Sequence, residues 1–212
     1  MKRNTVEERR TEILQVTCQV VIERGFAGTR IADVASKLGV STGLIHYHFD
    51  SKEQLLAEAF KHAAREEMVS LEEDLASAPN AVAKLERVLQ NYTPAADDLD
   101  WLLWIDSWGE ALRNKAMRQI SQELDLESTG LIERVIREGV ETTEFQCPDP
   151  SGTAWRLAAL LDGLGVQLTV HDNVITRDQI IKHVRMLACY ELGLAADAFA
   201  PRNLRKKRKV TR

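Results

Sequence analysis

Within STGLIHYHFDSKEQLL, residues 41–56, His46, Tyr47 and His48 follow one another shortly after Gly43. Imidazole and phenol groups set side by side can donate hydrogen bonds to anions, and a glycine ahead of them lets a backbone come close to what they bind. A second group lies in DLDWLLWIDSWGEALRN. There Trp101, Trp104 and Trp108 recur at helical spacing, with Asp100, Asp106 and Glu110 around them. Indole faces attract organic cations and carboxylates neutralise them, although tryptophans at this spacing also fill cores. His46 and His48 diverge on a helix, which disfavours a metal pair. Cys18, Cys147 and Cys189 are odd in number and form no CxxC, so neither a metal site nor a disulfide framework is expected, and a reducing cytoplasm fits. No GxGxxG, P-loop, HExxH or GxSxG occurs, so no enzyme activity and no cofactor are expected.

The elements that must carry these residues read as helices throughout. The 212 residues hold only 5 Pro and 11 Gly, and hydrophobic residues make up 44%. Ile13, Val16, Val20 and Val21 share one side of a first helix that Gly25 ends. Thr29 is expected to cap the next, which closes at Gly39. Ser41 caps a short third helix. Asp50 or Ser51 starts a long fourth that runs to about Ala76, with Ser51 and Gln54 forming a capping box. Asn80 caps a fifth helix with Leu85, Val88 and Leu89 inward. The tryptophan helix is sixth, and a seventh spans roughly 115–140. Asp149 and Pro150 start the eighth, and a Thr176–Gln179 capping box starts the ninth. The chain is therefore read as all-α, with about nine helices and no strand. The longest apolar run contains Arg156 and Asp162, so no membrane span is expected, and the charged N-terminus is unlike a signal peptide.

The two short helices joined by LGVS have the pattern of a helix-turn-helix, with Val34, Leu38, Val40, Ile45 and Phe49 as its small core. With Ile45 and Phe49 inward, His46, Tyr47 and His48 face outward. Thr42 and Leu44 are placed for base edges and Lys52 for a phosphate. Plain surface histidines, or a helix-turn-helix that meets a protein, are the blander readings of the same residues. Residues 28–56, GTRIADVASKLGVSTGLIHYHFDSKEQLL, resemble the DNA-binding domain of TetR-family transcriptional regulators. The resemblance implies that Thr29, Arg30, Ser41, Thr42, Gly43, Leu44, His46, Tyr47, His48 and Lys52 meet double-stranded DNA. His46 stands where most members carry Tyr, which leaves open whether it or Tyr47 takes the phosphate. Ala32 stands where many carry a basic base-reading residue.

By the same resemblance, residues 1–50 form the DNA-binding domain and 51–200 a ligand-binding and homodimerisation domain. Residues 201–212 form a basic tail, expected to be disordered. Within the middle, the tryptophan segment and WRLAALLDGLG are similar to the BetI-type branch, whose best-known effector is choline. This implies an organic-cation effector near Trp101, Trp104, Trp108 and Asp106. Charge agrees: by count, residues 1–65 carry +2, residues 66–200 carry −13 and the tail carries +7, within a net −4. A repressor released from a palindromic operator by a small molecule is the expected function. The reading from another class is an all-α small-molecule binding protein or enzyme with no DNA role.

Overall fold

The computed structural model describes residues 5–95 and 99–199, and these form nine helices with no strand. They are α1 (Val6–Gly28), α2 (Ile31–Leu38), α3 (Thr42–His48), α4 (Lys52–Ala76), α5 (Ala81–Asn91), α6 (Leu99–Ala111), α7 (Lys115–Glu141), α8 (Pro150–Val170) and α9 (Arg177–Leu192). The basic tail lies outside the described residues.

Most boundaries follow local chemistry. Ser41, Ser51, Asn80, Asp149 and Thr176 each accept a backbone N–H of the first helical turn, as their sequence positions require. Gly39 takes the left-handed conformation (φ 71) that ends α2. Two starts differ from expectation. Arg30, not Thr29, is the N-cap of α2, and the Asp33 carboxylate accepts the Arg30 N–H at 3.1 Å. At α4, Ser51 caps as expected, but the Gln54 side chain reaches one residue further back, to the Asp50 N–H at 2.9 Å. Gly25, at φ 72 and ψ 163, breaks α1 before its last turn. A side chain there would be strained, so the kink is built into the sequence.

Three apolar clusters organise the molecule, and α4 contributes to each. Leu55 and Ala59 join Ile13, Val34, Ile45 and Phe49 under the helix-turn-helix. Leu71 and Leu75 join the α5, α7, α8 and α9 core, which includes Leu85, Ile132, Leu157 and Val184. Between them, Leu56 and Phe60 join Val21, Phe26, Leu103 and Leu124. The third cluster packs α1 and α4 onto α6 and α7, so the head and the body share it. Polar pairs reinforce the spine: Lys61 and Arg65 of α4 both bind Glu123 at 2.7 Å.

Candidate functional site

The face of α3 is fixed from below. Ile45 and Phe49 are buried, and the Arg10 guanidinium lies 4.3 Å over the Phe49 ring while pairing with Glu58. The helix is thereby held to α1 and α4. Above, Ser41, Thr42, Gly43, His46 and Tyr47 are exposed, and Leu44 and His48 half-buried. Tyr47 is 74% exposed and meets His48 edge-on at 5.1 Å. A Cβ on Gly43 would meet only the Ser41 hydroxyl, at 3.7 Å, which is ordinary contact. Internal packing therefore does not demand glycine at this position, whereas close approach of an outside partner would. Arg30 is exposed beside this face. Lys52 reaches back to the Ala27 carbonyl at 3.3 Å.

Thr29 is the exception among the expected DNA contacts. It is 1% exposed, and its hydroxyl donates to the Gly25 carbonyl at 2.8 Å. Its side chain braces the α1 kink and does not reach the outer face.

The second site is a cavity of about 440 Å³ enclosed by α4, α6, α7 and α8, with the end of α5. Trp101, Trp104 and Trp108 all line it, joined by Trp155 of α8. The indoles meet edge-on or tilted: Trp101 to Trp108 at 6.4 Å and Trp104 to Trp108 at 6.3 Å. Trp104 also packs edge-on against Phe60 at 5.0 Å, so part of it belongs to the core. Gly165 makes room for Trp101, since a Cβ there would fall 2.2 Å from the indole.

Among the described residues four carboxylates line the cavity, one each from α4, α6, α7 and α8: Glu67, Asp100, Asp125 and Asp162. Asp125 is hydrogen-bonded by Trp108 and Ser121, yet burial raises its pKa. Asp162 retains exposed surface but lines the cavity, where burial first and the Asp125 charge second raise its pKa to about 6. Arg118 is the lining cation among the described residues. Its guanidinium is bound to the Ala111 and Leu112 carbonyls at the end of α6, at 2.9 and 3.0 Å, so it caps a helix terminus. The cavity thus presents aromatic faces and negative charge.

Asp106, expected here, does not line the cavity. It turns toward α1 and accepts the Phe26 N–H at 2.7 Å, beside the Gly25 kink. Glu67, Asp125, Trp155 and Asp162 were not singled out from the sequence as site residues. Asp162 carried a signal, as a lone acid in the apolar run LAALLDGLG. Asp125, within the polar QELDLES, carried none.

A helix-turn-helix head joined through one shared helix to an all-helical body defines a class of DNA-binding transcriptional regulator. Family models agree on both halves. "Bacterial regulatory proteins, tetR family" matches residues 13–59, and "BetI-type transcriptional repressor, C-terminal" matches residues 81–188. The chain belongs to the TetR family, a non-enzymatic family of transcriptional regulators, with a C-terminal half of the BetI type.

Among curated relatives, the repressor KstR2 of Rhodococcus jostii is 29% identical over 140 residues, which is 65% of this chain and 68% of that protein. The regulator BetI of Burkholderia mallei is 25% identical over 161 residues, 74% of this chain and 80% of that one. The match to YerO of Bacillus subtilis, 25% identical, spans 64% of this chain but only 50% of that protein. A regulator from Saccharomonospora viridis, solved in complex with choline, superposes with a TM-score of 0.78 at 29% identity, over 88% of this chain and 98% of that one. Among the described residues no helix is long and apolar enough to cross a membrane.

Proposed function

We propose that the chain is a homodimeric repressor whose cavity takes an organic cation and which then leaves its operator. The carrying observation is the cavity: four tryptophans and four carboxylates, against a single arginine committed to a helix end. Cation–π attraction and carboxylate charge act together in such a site, and both strengthen as water is excluded. The choline complex of the Saccharomonospora viridis regulator supports the same chemistry. Residues 1–50 act as the reading head and 51–200 as the effector and dimer body. The test is release of the chain's own upstream DNA by choline, with the uncharged carbon analogue of choline as control. Release by both equally, or by neutral or anionic ligands alone, would remove the cation reading and leave the repressor intact.

At DNA, Arg30, Ser41, Thr42, Gly43, Leu44, His46, Tyr47, His48 and Lys52 form the proposed contact set. Lys52 would exchange the Ala27 carbonyl for a phosphate. Tyr47→Ala is expected to weaken operator binding about tenfold, the scale of one hydrogen bond to a charged group, and to flatten the salt dependence. Because Tyr47 is exposed, the melting temperature should stay put. Anisotropy titrations at two salt concentrations check both.

For the dimer, the leucines of α8 divide. Leu157 and Leu161 are fully committed to the protomer's own core, and Gly165 is filled by Trp101. The face left uncovered carries Trp155, Ala159, Gly163 and Val170 on α8, with Met186 and Tyr190 on α9. Among the described residues, apart from its neighbours and its own helix backbone, nothing lies within 4 Å of a Cβ on Gly163. A helix pair with this apolar stripe suits a four-helix interface with a second copy. The half-sites of the operator are then near-palindromic and about 34–36 Å apart per helical turn. Light scattering should give a dimer at micromolar concentration, and Met186→Glu should shift it to monomer. A parent protein that is monomeric both free and on DNA would refute the interface.

A further inference from the structure

The acids of the cavity fall into separate groups. Asp125 of α7 and Asp162 of α8 form one: after burial, the Asp125 charge is what raises the Asp162 pKa. Glu67 of α4 stands elsewhere, beside Tyr92 at the close of α5, where its charge acts on the phenol. The Tyr92 hydroxyl is buried and makes no hydrogen bond with the described residues. Burial first, and the Glu67 charge second, hold its pKa well above the usual phenol range, so at neutral pH it is a neutral donor and acceptor. A buried hydroxyl without a partner costs stability, on the order of 1–3 kcal/mol, and a polar ligand end placed there would recover it.

Size points the same way. The cavity of about 440 Å³ would hold on the order of fifteen waters, whereas choline has about seven non-hydrogen atoms. An ammonium head seated at Asp125 and Asp162 would leave the Tyr92 hydroxyl unmet. The same cavity has apolar and aromatic walls, including Met68, Trp104 and Ile132, which suit an alkyl chain.

We propose that the effector is an elongated dication: one ammonium centre lies at the Asp125–Asp162 pair among the tryptophans, and the second at Glu67 and the Tyr92 hydroxyl. An α,ω-diamine, or its N-alkylated counterpart, is the simplest molecule of that chemistry. The second centre carries at least one N–H, which the Tyr92 oxygen can accept and which a trimethylammonium group lacks. The inference rests on the cation reading of the same cavity and narrows it.

The experiment is a tryptophan-fluorescence titration of the full chain with α,ω-diaminoalkanes of increasing length, each beside the alkylmonoamine of matched length, with choline as reference. In the parent protein the best diamine should bind about tenfold tighter than its matched monoamine, the effect of one further charge pair in a partly excluded site. In Glu67→Gln that ratio should fall to near unity, with monoamine affinity little changed. Tyr92→Phe, which keeps the ring and removes only the hydroxyl, should lower the ratio in the same sense. It guards against a Glu67 variant that folds poorly, as circular dichroism will show. A monoamine or choline that binds as tightly as every diamine overturns the dication and leaves the cation reading standing. A diamine preference that survives both substitutions overturns the assigned second seat. Failure of every amine, with response to neutral or anionic ligands, overturns the cation reading itself.

Discussion

Asp162→Asn is expected to melt at a higher temperature than the parent protein at pH 7.5 and, in the same tube, to lose its response to organic cations. The folded-state pKa of Asp162, about 6, lies above the ordinary aspartate value of 3.8. The folded protein therefore holds this proton more tightly than the unfolded chain. Below about pH 4 both states are protonated and the group is neutral to stability. Between about pH 4 and 6 the unfolded chain ionises first, so stability falls as pH rises, and the full penalty stands at pH 7.5. Asparagine has no such penalty.

The groups around Asp162 do not reverse this sign. Asp125 of α7, Asp100 of α6 and Glu67 of α4 are acids, and Arg118 of α7 is held at the end of α6. Because Asp162 keeps open surface, screening reduces the effect. Even about 1 kcal/mol would lift the melting temperature by about 2–4 °C in a chain of this size. The two proteins should melt alike near pH 4. In the parent, cation affinity should decline as pH falls through about 6, when the seat takes a proton instead of the ligand. A variant that melts no higher at pH 7.5, or that still binds cations at parental affinity, would show that the seat lies elsewhere. A functional charge that destabilises the empty protein is a familiar trade.

How much of this was legible in the sequence depended on whether the information was local. Caps at Ser41, Ser51, Asn80, Asp149 and Thr176 are decided within four residues, and they were readable. So was the helix-turn-helix core, because Val34, Ile45 and Phe49 follow from helical period and one glycine. Thr29 was misjudged because it closes α1 instead of opening α2: its N–H and its hydroxyl both donate to the Gly25 carbonyl four residues back, which leaves Arg30 as the N-cap of α2. The tryptophans and Asp100 were visible as a group, but the other lining carboxylates come from α4, α7 and α8, which no spacing in α6 can report. Asp106 was chosen because it sits among them in sequence. On the helix it points away from the cavity, and its partner is 80 residues back in the chain.

That misplaced carboxylate supports the second large effect. Asp106→Ala is expected to leave cation affinity within about twofold of the parent while the ratio of operator affinities without and with saturating cation collapses by about tenfold, the scale of a typical coupling energy. The argument begins at Gly25, where α1 breaks and the Phe26 N–H is freed from the helical ladder. Asp106 of α6 accepts that N–H at 2.7 Å, a charge-assisted bond. The same two helices are joined by rings: Phe26 meets Phe60 edge-on at 6.1 Å, and Phe60 meets Trp104 edge-on at 5.0 Å. Trp104 lines the cavity, so ligand, α6 and kink form one packed series. Beyond the kink, Thr29 closes α1 on the Gly25 carbonyl, and Lys52 donates to the Ala27 carbonyl, which ties the start of α4 to the same point. A ligand moves the operator equilibrium only through its different affinities for the two arrangements. Removing Asp106 uncouples those arrangements without touching the cation seat at Asp125 and Asp162. Asp106→Asn keeps the side-chain shape and a neutral acceptor, so it should retain part of the ratio, and its melting curve will show whether the Ala variant suffers from misfolding. If both variants keep the parental ratio of operator affinities, with and without cation, the kink is not the route by which the cavity reaches DNA.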